Sequence, residues 1–297
     1  MKNAWALIVA ALVAGNVSAK TNLTVEHLNK LNKLYDVVVS PDGRYVVYGQ
    51  KNGGFAPADT SADLYLMDLQ DGNKVRRLTS ADGKEHDVKF ASDGKAIYFL
   101  ADRSGSSQVY KLALDGGEAQ QITDLPLDVQ GYLISQDQKK IVVTMDVKPG
   151  CADLACTVLF NKTQADKKDT AQVYDQLMVR HWDTWEDGLK VHFFAAELNG
   201  KPVKDAIDLM SEWDTDVAGT GEASFTPDGN NLVFSAKIPA ADQSWHTNFD
   251  IFQVSLKGGN KINLTKDNSA WDTKPSFSGD GRFMAYLAMK KPVYEAD

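Results

Sequence analysis

The chain has 297 residues, is 43% hydrophobic and 24% charged, and carries a formal net charge of −8. Its acidic residues are dispersed and no basic stripe accompanies them, which argues against a nucleic-acid partner. The acidity reads instead as solubility, on a chain long enough for one large domain.

The N-terminus reads as a processing signal. Lys2 precedes the apolar run Ala4-Trp5-Ala6-Leu7-Ile8-Val9-Ala10-Ala11-Leu12-Val13-Ala14, and Val17-Ser18-Ala19 follows the small-x-small cleavage pattern. The run is too short to span a bilayer. The expectation is a signal peptide over residues 1–19, leaving 297 − 19 = 278 residues in the periplasm or outside the cell. A retained N-terminal anchor is the other reading. No later stretch is apolar enough for a membrane span.

From there a four-residue phrase recurs, each time leading into a strand-like run. Ser40-Pro41-Asp42-Gly43 precedes Tyr45-Val46-Val47-Tyr48, and Ala91-Ser92-Asp93-Gly94 precedes Ala96-Ile97-Tyr98-Phe99. Ser135-Gln136-Asp137-Gln138, Thr226-Pro227-Asp228-Gly229 and Ser278-Gly279-Asp280-Gly281 precede Ile141-Val142-Val143, Asn231-Leu232-Val233-Phe234 and Phe283-Met284-Ala285-Tyr286. Ser or Thr opens a type I turn, Pro presets the second position, and Gly supplies the left-handed residue that reverses the chain.

A second hairpin follows in most units. Asp63–Leu69 returns through Asp71-Gly72 to Val75–Thr79, Gln108–Leu112 through Asp115-Gly116-Gly117 to Gln121–Thr123, and Asp250–Val254 through Gly258-Gly259 to Ile262–Thr265. A looser copy runs from Val191–Phe194 through Asn199-Gly200 to Ala206–Leu209. The turn aspartates are spaced 93 − 42 = 51, 137 − 93 = 44 and 280 − 228 = 52 positions apart, whereas Asp137 to Asp228 is 228 − 137 = 91. Units of four short strands at this period predict an all-β fold, a β-propeller of four-stranded blades, four complete and a fifth partial. The long interval predicts an insertion in the third blade at about 148–189. A β-sandwich is the competing arrangement. The fifth unit begins with Ser278-Gly279-Asp280-Gly281, makes one strand and stops at Asp297 without its second hairpin, so the propeller is expected to be incomplete, occupying 20–297.

Cys151 and Cys156 both fall in the insertion, and their four intervening residues can form a turn that brings the two Cβ atoms together. Export permits a disulfide; two free thiols are the alternative. The spacing is not that of a redox Cys-x-x-Cys motif, and zinc would need further ligands.

A nucleophilic hydrolase needs an activated Ser or Cys, a His base and an orienting acid. No Gly-x-Ser-x-Gly elbow is present, and the five histidines, His27, His86, His181, His192 and His246, show no metal-ligand spacing. No phosphate loop or dinucleotide fingerprint appears, so no cofactor, no metal and no catalytic residue is assigned. The insertion is the segment with functional character: Val179-Arg180-His181-Trp182-Asp183-Thr184-Trp185-Glu186-Asp187-Gly188 mixes rings and charges densely. Arg180, His181, Trp182, Trp185 and Glu186 are candidate substrate-binding residues, with Asp183 and Asp187 as alternative carboxylates. Against this stands a purely structural reading in which Trp182 and Trp185 anchor the insertion to its blade. The polar stretch Gln164–Gln176 before it is compatible with a helix, and Trp245-His246 reads as ordinary loop packing.

The blade phrases, Cys151-Ala152-Asp153-Leu154-Ala155-Cys156 and the Arg180–Trp185 segment together resemble the bacterial prolyl oligopeptidase family, in its exported dipeptidyl-peptidase and acylaminoacyl-peptidase-like branch. The blade phrases alone are shared with TolB-like propellers; the insertion is the more specific feature. The resemblance implies an N-terminal propeller that screens short peptides for a C-terminal α/β-hydrolase domain with a Ser-Asp-His triad. That domain has no matching positions here, so no triad residue carries over. It also implies that the chain's partners are short peptides and the hydrolase domain. The alternative is a stand-alone TolB-like periplasmic propeller that mediates protein–protein interaction.

Overall fold

The computed structural model describes residues 22–292 except 56–61, 82, 170, 176, 216 and 241. The signal-peptide reading of residues 1–19 lies outside the described residues. A short helix α1 (Val25–Lys30), capped by Thr24, leads into the first sheet, β1 (Lys33–Val39), β2 (Tyr45–Lys51), β3 (Ala62–Asp68) and β4 (Lys74–Arg77). The second sheet is β5 (Glu85–Phe90), β6 (Ala96–Ala101), β7 (Gln108–Ala113) and β8 (Gln120–Gln121). The third begins with β9 (Gly131–Ile134) and β10 (Lys140–Val147). It is interrupted by helix α2 (Leu154–Ala165) and the small hairpin β11 (Arg180–His181) and β12 (Thr184–Trp185), and then resumes with β13 (Lys190–Glu197) and β14 (Ile207–Asp208). The fourth is β15 (Ala223–Phe225), β16 (Asn231–Ala236), β17 (Asp250–Ser255) and β18 (Ile262–Asn263), and a two-stranded sheet of β19 (Asp272–Phe277) and β20 (Met284–Ala288) follows. All pairings within these sheets are antiparallel and join strands consecutive in the chain, save that β10 pairs with β13 across the interruption.

The turn phrase works through one repeated set of hydrogen bonds. Ser40 Oγ donates to Asp42 Oδ1 at 2.6 Å and accepts from Tyr45 N at 2.8 Å, while Arg44 N donates to Asp42 Oδ1 at 3.0 Å. Ser135 with Asp137, Thr226 with Asp228 and Ser278 with Asp280 repeat the arrangement. The fourth residue closes the turn with positive φ, +71° at Gly43 and +57° at Gln138, where the third copy departs from Gly.

Successive sheets pack face to face. Along β6, Tyr98 and Leu100 join the core shared with the third sheet, while Ile97 and Phe99 join the core shared with the first. The period-two alternation of a strand thus delivers apolar side chains to both faces, which is why the sequence lacks a polar alternate. Phe193, Phe234 and Phe252 fill the junction of the third and fourth sheets, and β19 packs on β15, β16 and β17.

Polar groups tie the junctions too. Tyr35 Oη donates to Glu85 O at 2.8 Å, and Tyr132 Oη donates to Asp87 O at 2.7 Å, each from one sheet to the next. A threonine after the fourth strand reaches back to cap the third: Thr79, Thr123 and Thr265 Oγ1 each accept, at 2.9 Å, from Leu64, Val109 and Ile251 N. Thr79 Oγ1 also donates to Glu85 Oε2 at 3.0 Å, and Arg103 pairs with the same carboxylate at 2.6 Å.

Because the strands alternate in direction, the turn phrases and the connections between third and fourth strands lie along one rim. The connections between second and third strands lie along the other rim. The insertion (148–189) and the 237–249 connection, which hold this position in the third and fourth sheets, are therefore neighbours on one rim. No helix among the described residues is long and apolar enough to cross a membrane.

Candidate functional site

The insertion is fastened at its base through Lys148. Its backbone N donates to Thr157 Oγ1 at 3.1 Å, its Nζ donates to Gly188 O at 3.2 Å, and its carbonyl accepts from Cys151 N at 3.1 Å. Cys151 and Cys156 form a disulfide with Cα atoms 5.5 Å apart. Asp153 caps α2 by accepting from Cys156 N at 2.9 Å. The helix therefore starts at Leu154, earlier than the Gln164–Gln176 stretch that the sequence favoured, because the cap and the disulfide nucleate it there.

Beyond α2 the chain reaches the hairpin of β11 and β12, turned by Trp182 and Asp183, with Trp182 in the left-handed region at φ +50°. Tyr174 stacks on Trp185 with centroids 6.4 Å apart and donates from Oη to Glu186 O at 3.0 Å. Arg180 lies over the Trp185 ring at 5.4 Å, and His181 meets Trp182 edge-on at 6.1 Å. Arg180, His181, Trp182 and Trp185 are thus brought together in one hairpin. Glu186 stands at its foot, where Oε1 accepts from Gly188 N at 3.2 Å and Oε2 pairs with Lys190 at 3.1 Å.

Two expectations change here. Trp182 is 79% exposed and Trp185 56% exposed, so neither buries itself in the blade as an anchor; Lys148, the disulfide and Tyr174 brace the insertion from within. Trp245, read as loop packing, is 76% exposed.

The sequence reading also passed over the closest approach to a histidine–acid pair. Buried His192 sits on β13 with Nδ1 2.9 Å from Asp208 Oδ2 and Nε2 3.0 Å from Trp213 O. Both ring nitrogens are engaged, so none is left to activate a hydroxyl. This pair braces the turn after β14. The junction carboxylates are similarly structural: burial pushes Glu85 and Asp272 above the ordinary carboxyl range, partly countered by Arg103 at Glu85 and by Asn268 at Asp272. What the insertion can do chemically is bind, offering flat apolar rings beside charges of both signs.

The stacked four-stranded sheets define a β-propeller. In agreement, a family model described as the TolB beta propeller domain matches residues 38–172. Dipeptidyl-peptidase 5 of Porphyromonas endodontalis is 29% identical, covering 95% of this chain and 41% of that protein. Dipeptidyl-peptidase 5 of Porphyromonas gingivalis is 28% identical, covering 100% of this chain and 44% of that protein. The chain thus spans less than half the length of these relatives. Pyrococcus horikoshii acylaminoacyl peptidase superposes with a TM-score of 0.58 at 14% identity, covering 82% of this chain and 34% of that one. Oligogalacturonate lyase from Vibrio parahaemolyticus superposes at 0.54 and 14%, covering 86% of this chain and 58% of that one. At such identity the two structures show the fold alone, and their differing names illustrate that the fold does not choose the chemistry. The named relatives bear out the resemblance read from the sequence: this chain is similar, over nearly its whole length, to the matching part of two dipeptidyl-peptidases.

Proposed function

We propose that this chain is the substrate-screening propeller of an exported serine peptidase that cleaves short peptides, with the nucleophile supplied by a separate hydrolase domain. One observation carries the reading: nearly the whole chain aligns with two dipeptidyl-peptidases while spanning 41% and 44% of their length. The insertion supports it, since a rim hairpin with exposed rings and both signs of charge suits contact with peptides. Asp183, exposed at the hairpin turn, is better disposed to meet a free amino terminus than Glu186, whose two oxygens are held by Gly188 and Lys190. In this reading the apolar outer face of β20 receives a further blade, and the protein works in the periplasm or outside the cell.

The test is a chimera in which residues 20–297 replace the matching region of the Porphyromonas endodontalis protein. It should release dipeptides from short peptides and leave folded proteins intact, while the present chain alone remains unlabelled by a fluorophosphonate probe. A folded chimera that releases no dipeptides would sink the proposal. A second reading, a stand-alone propeller that binds a protein partner, is favoured by the TolB description of the matching family model.

A further inference from the structure

Five tryptophans lie among the described residues, and the three exposed ones, Trp182, Trp185 and Trp245, stand on two neighbouring loops of one rim. Tryptophan is ordinarily well buried on average, so three held out on one rim ask for a reason. Trp245 is the most informative of the three because its loop is fastened and the ring is not. It ends a single 3₁₀ turn, Gln243–Trp245. Gln243 Oε1 accepts from the fully buried Thr215 Oγ1 at 2.8 Å and Nε2 donates to Asp214 O at 3.1 Å. Lys237 Nζ donates to Gln243 O at 3.2 Å, and Ser244 Oγ donates to Leu177 O of the insertion at 2.5 Å.

Four hydrogen bonds therefore hold a short turn whose largest apolar side chain stays in water. Pre-organisation of this kind lowers the entropic cost of binding. The Ser244 bond also ties the turn to the insertion at Leu177, where the Leu177 and Met178 side chains are exposed as well. Arg180 and exposed Asp183 on the same insertion supply charges of opposite sign. Ring faces of this number accommodate a side chain rather than a domain, and charges of both signs complement the two charged termini of a short peptide.

We propose that Trp245, with Leu177 and Met178 beside it, forms a subsite for one apolar or aromatic side chain of a short peptide. The proposal rests on the peptide-screening reading above and adds a preference that the reading does not require.

The experiment is calorimetric titration of the whole chain with Ala-Phe-Ala-Ala and with Ala-Ala-Ala-Ala. The phenylalanine peptide should bind about three- to tenfold more tightly, the range expected of one aromatic contact. Trp245→Ala should abolish that preference without changing the affinity for the alanine peptide, and Trp245→Phe should keep most of it. Thermal unfolding of each variant verifies that the fold is intact. Equal binding of both peptides to the wild type, or a preference that survives in folded Trp245→Ala, overturns the subsite and leaves peptide screening standing. A wild-type chain that binds neither peptide overturns both.

Discussion

Strands β6 and β20 hold the same place in their units, yet one is fully buried and the other open. Every residue of Ala96–Ala101 is buried, whereas Ala285–Ala288 are all exposed. Leu100 is 0% and Leu287 59% exposed, although both follow an aromatic residue in an apolar run after an Asp-Gly turn. Their turns are alike: Gly94 N and Gly281 N donate to Ala91 O and Ser278 O at 2.9 and 2.8 Å. Local structure is therefore written into the unit, while burial depends on the neighbours. β6 has a sheet on each face, whereas among the described residues β20 pairs with β19 alone, and it is β19 that packs on the fourth sheet. An apolar strand with an open face is an aggregation liability unless something covers it.

The sharpest way to break this comparison is truncation at the two matched leucines. Leu100→Ala should cost about 2–5 kcal/mol through the cavity it leaves, whereas Leu287→Ala should cost roughly 0.5 kcal/mol or less, as at other exposed positions. Urea unfolding of both variants measures the difference, and equal losses would mean that β20 is as deeply packed as β6.

A smaller effect sharpens the local half of the comparison. The Ser40 hydroxyl and the Arg44 N–H hold the Asp42 carboxyl below its ordinary 3.8, and the Ser278 hydroxyl and the Arg282 N–H do the same for Asp280. A depressed carboxyl contributes stability that is complete above its unfolded value and is lost as pH falls through the folded value, so the turns should loosen below about pH 4. Glu85 and Asp272, raised by burial, have the opposite sign. Their contribution is present below the unfolded values and fades as pH rises through the folded ones. Carbon-detected NMR titration should show Ser40→Ala and Ser278→Ala raising their aspartates by similar amounts. Clearly unequal shifts would show that the turn depends on its sheet after all.

The sequence made the strands and turns legible because each turn carries its own chemistry, from the Ser40–Asp42 bond to the left-handed Gly43. The third-unit insertion was legible as a gap in spacing, and its hairpin residues were recognisable by composition. Three things were not. The start of α2 depends on Asp153 and the Cys151–Cys156 clip, which outweigh the helix-compatible polarity of the segment that follows. The placement of Trp245 depends on Gln243 meeting Thr215 and Ser244 meeting Leu177, contacts between residues 28 and 67 positions apart that no local pattern encodes. The threonines of Leu78-Thr79, Ile122-Thr123 and Leu264-Thr265 were visible as a repeat, but their capping bonds to the third strands were not.

Amide hydrogen exchange along β6 and β20 tests most directly whether equivalent strands differ only in their cover. Local opening should govern β20 and global unfolding β6, so β20 amides should exchange orders of magnitude faster in the chain as it stands. In the chimera with the Porphyromonas endodontalis protein, β20 should slow towards β6. Protection of β20 equal to that of β6 in the chain alone, or no slowing in a folded chimera, would contradict the account.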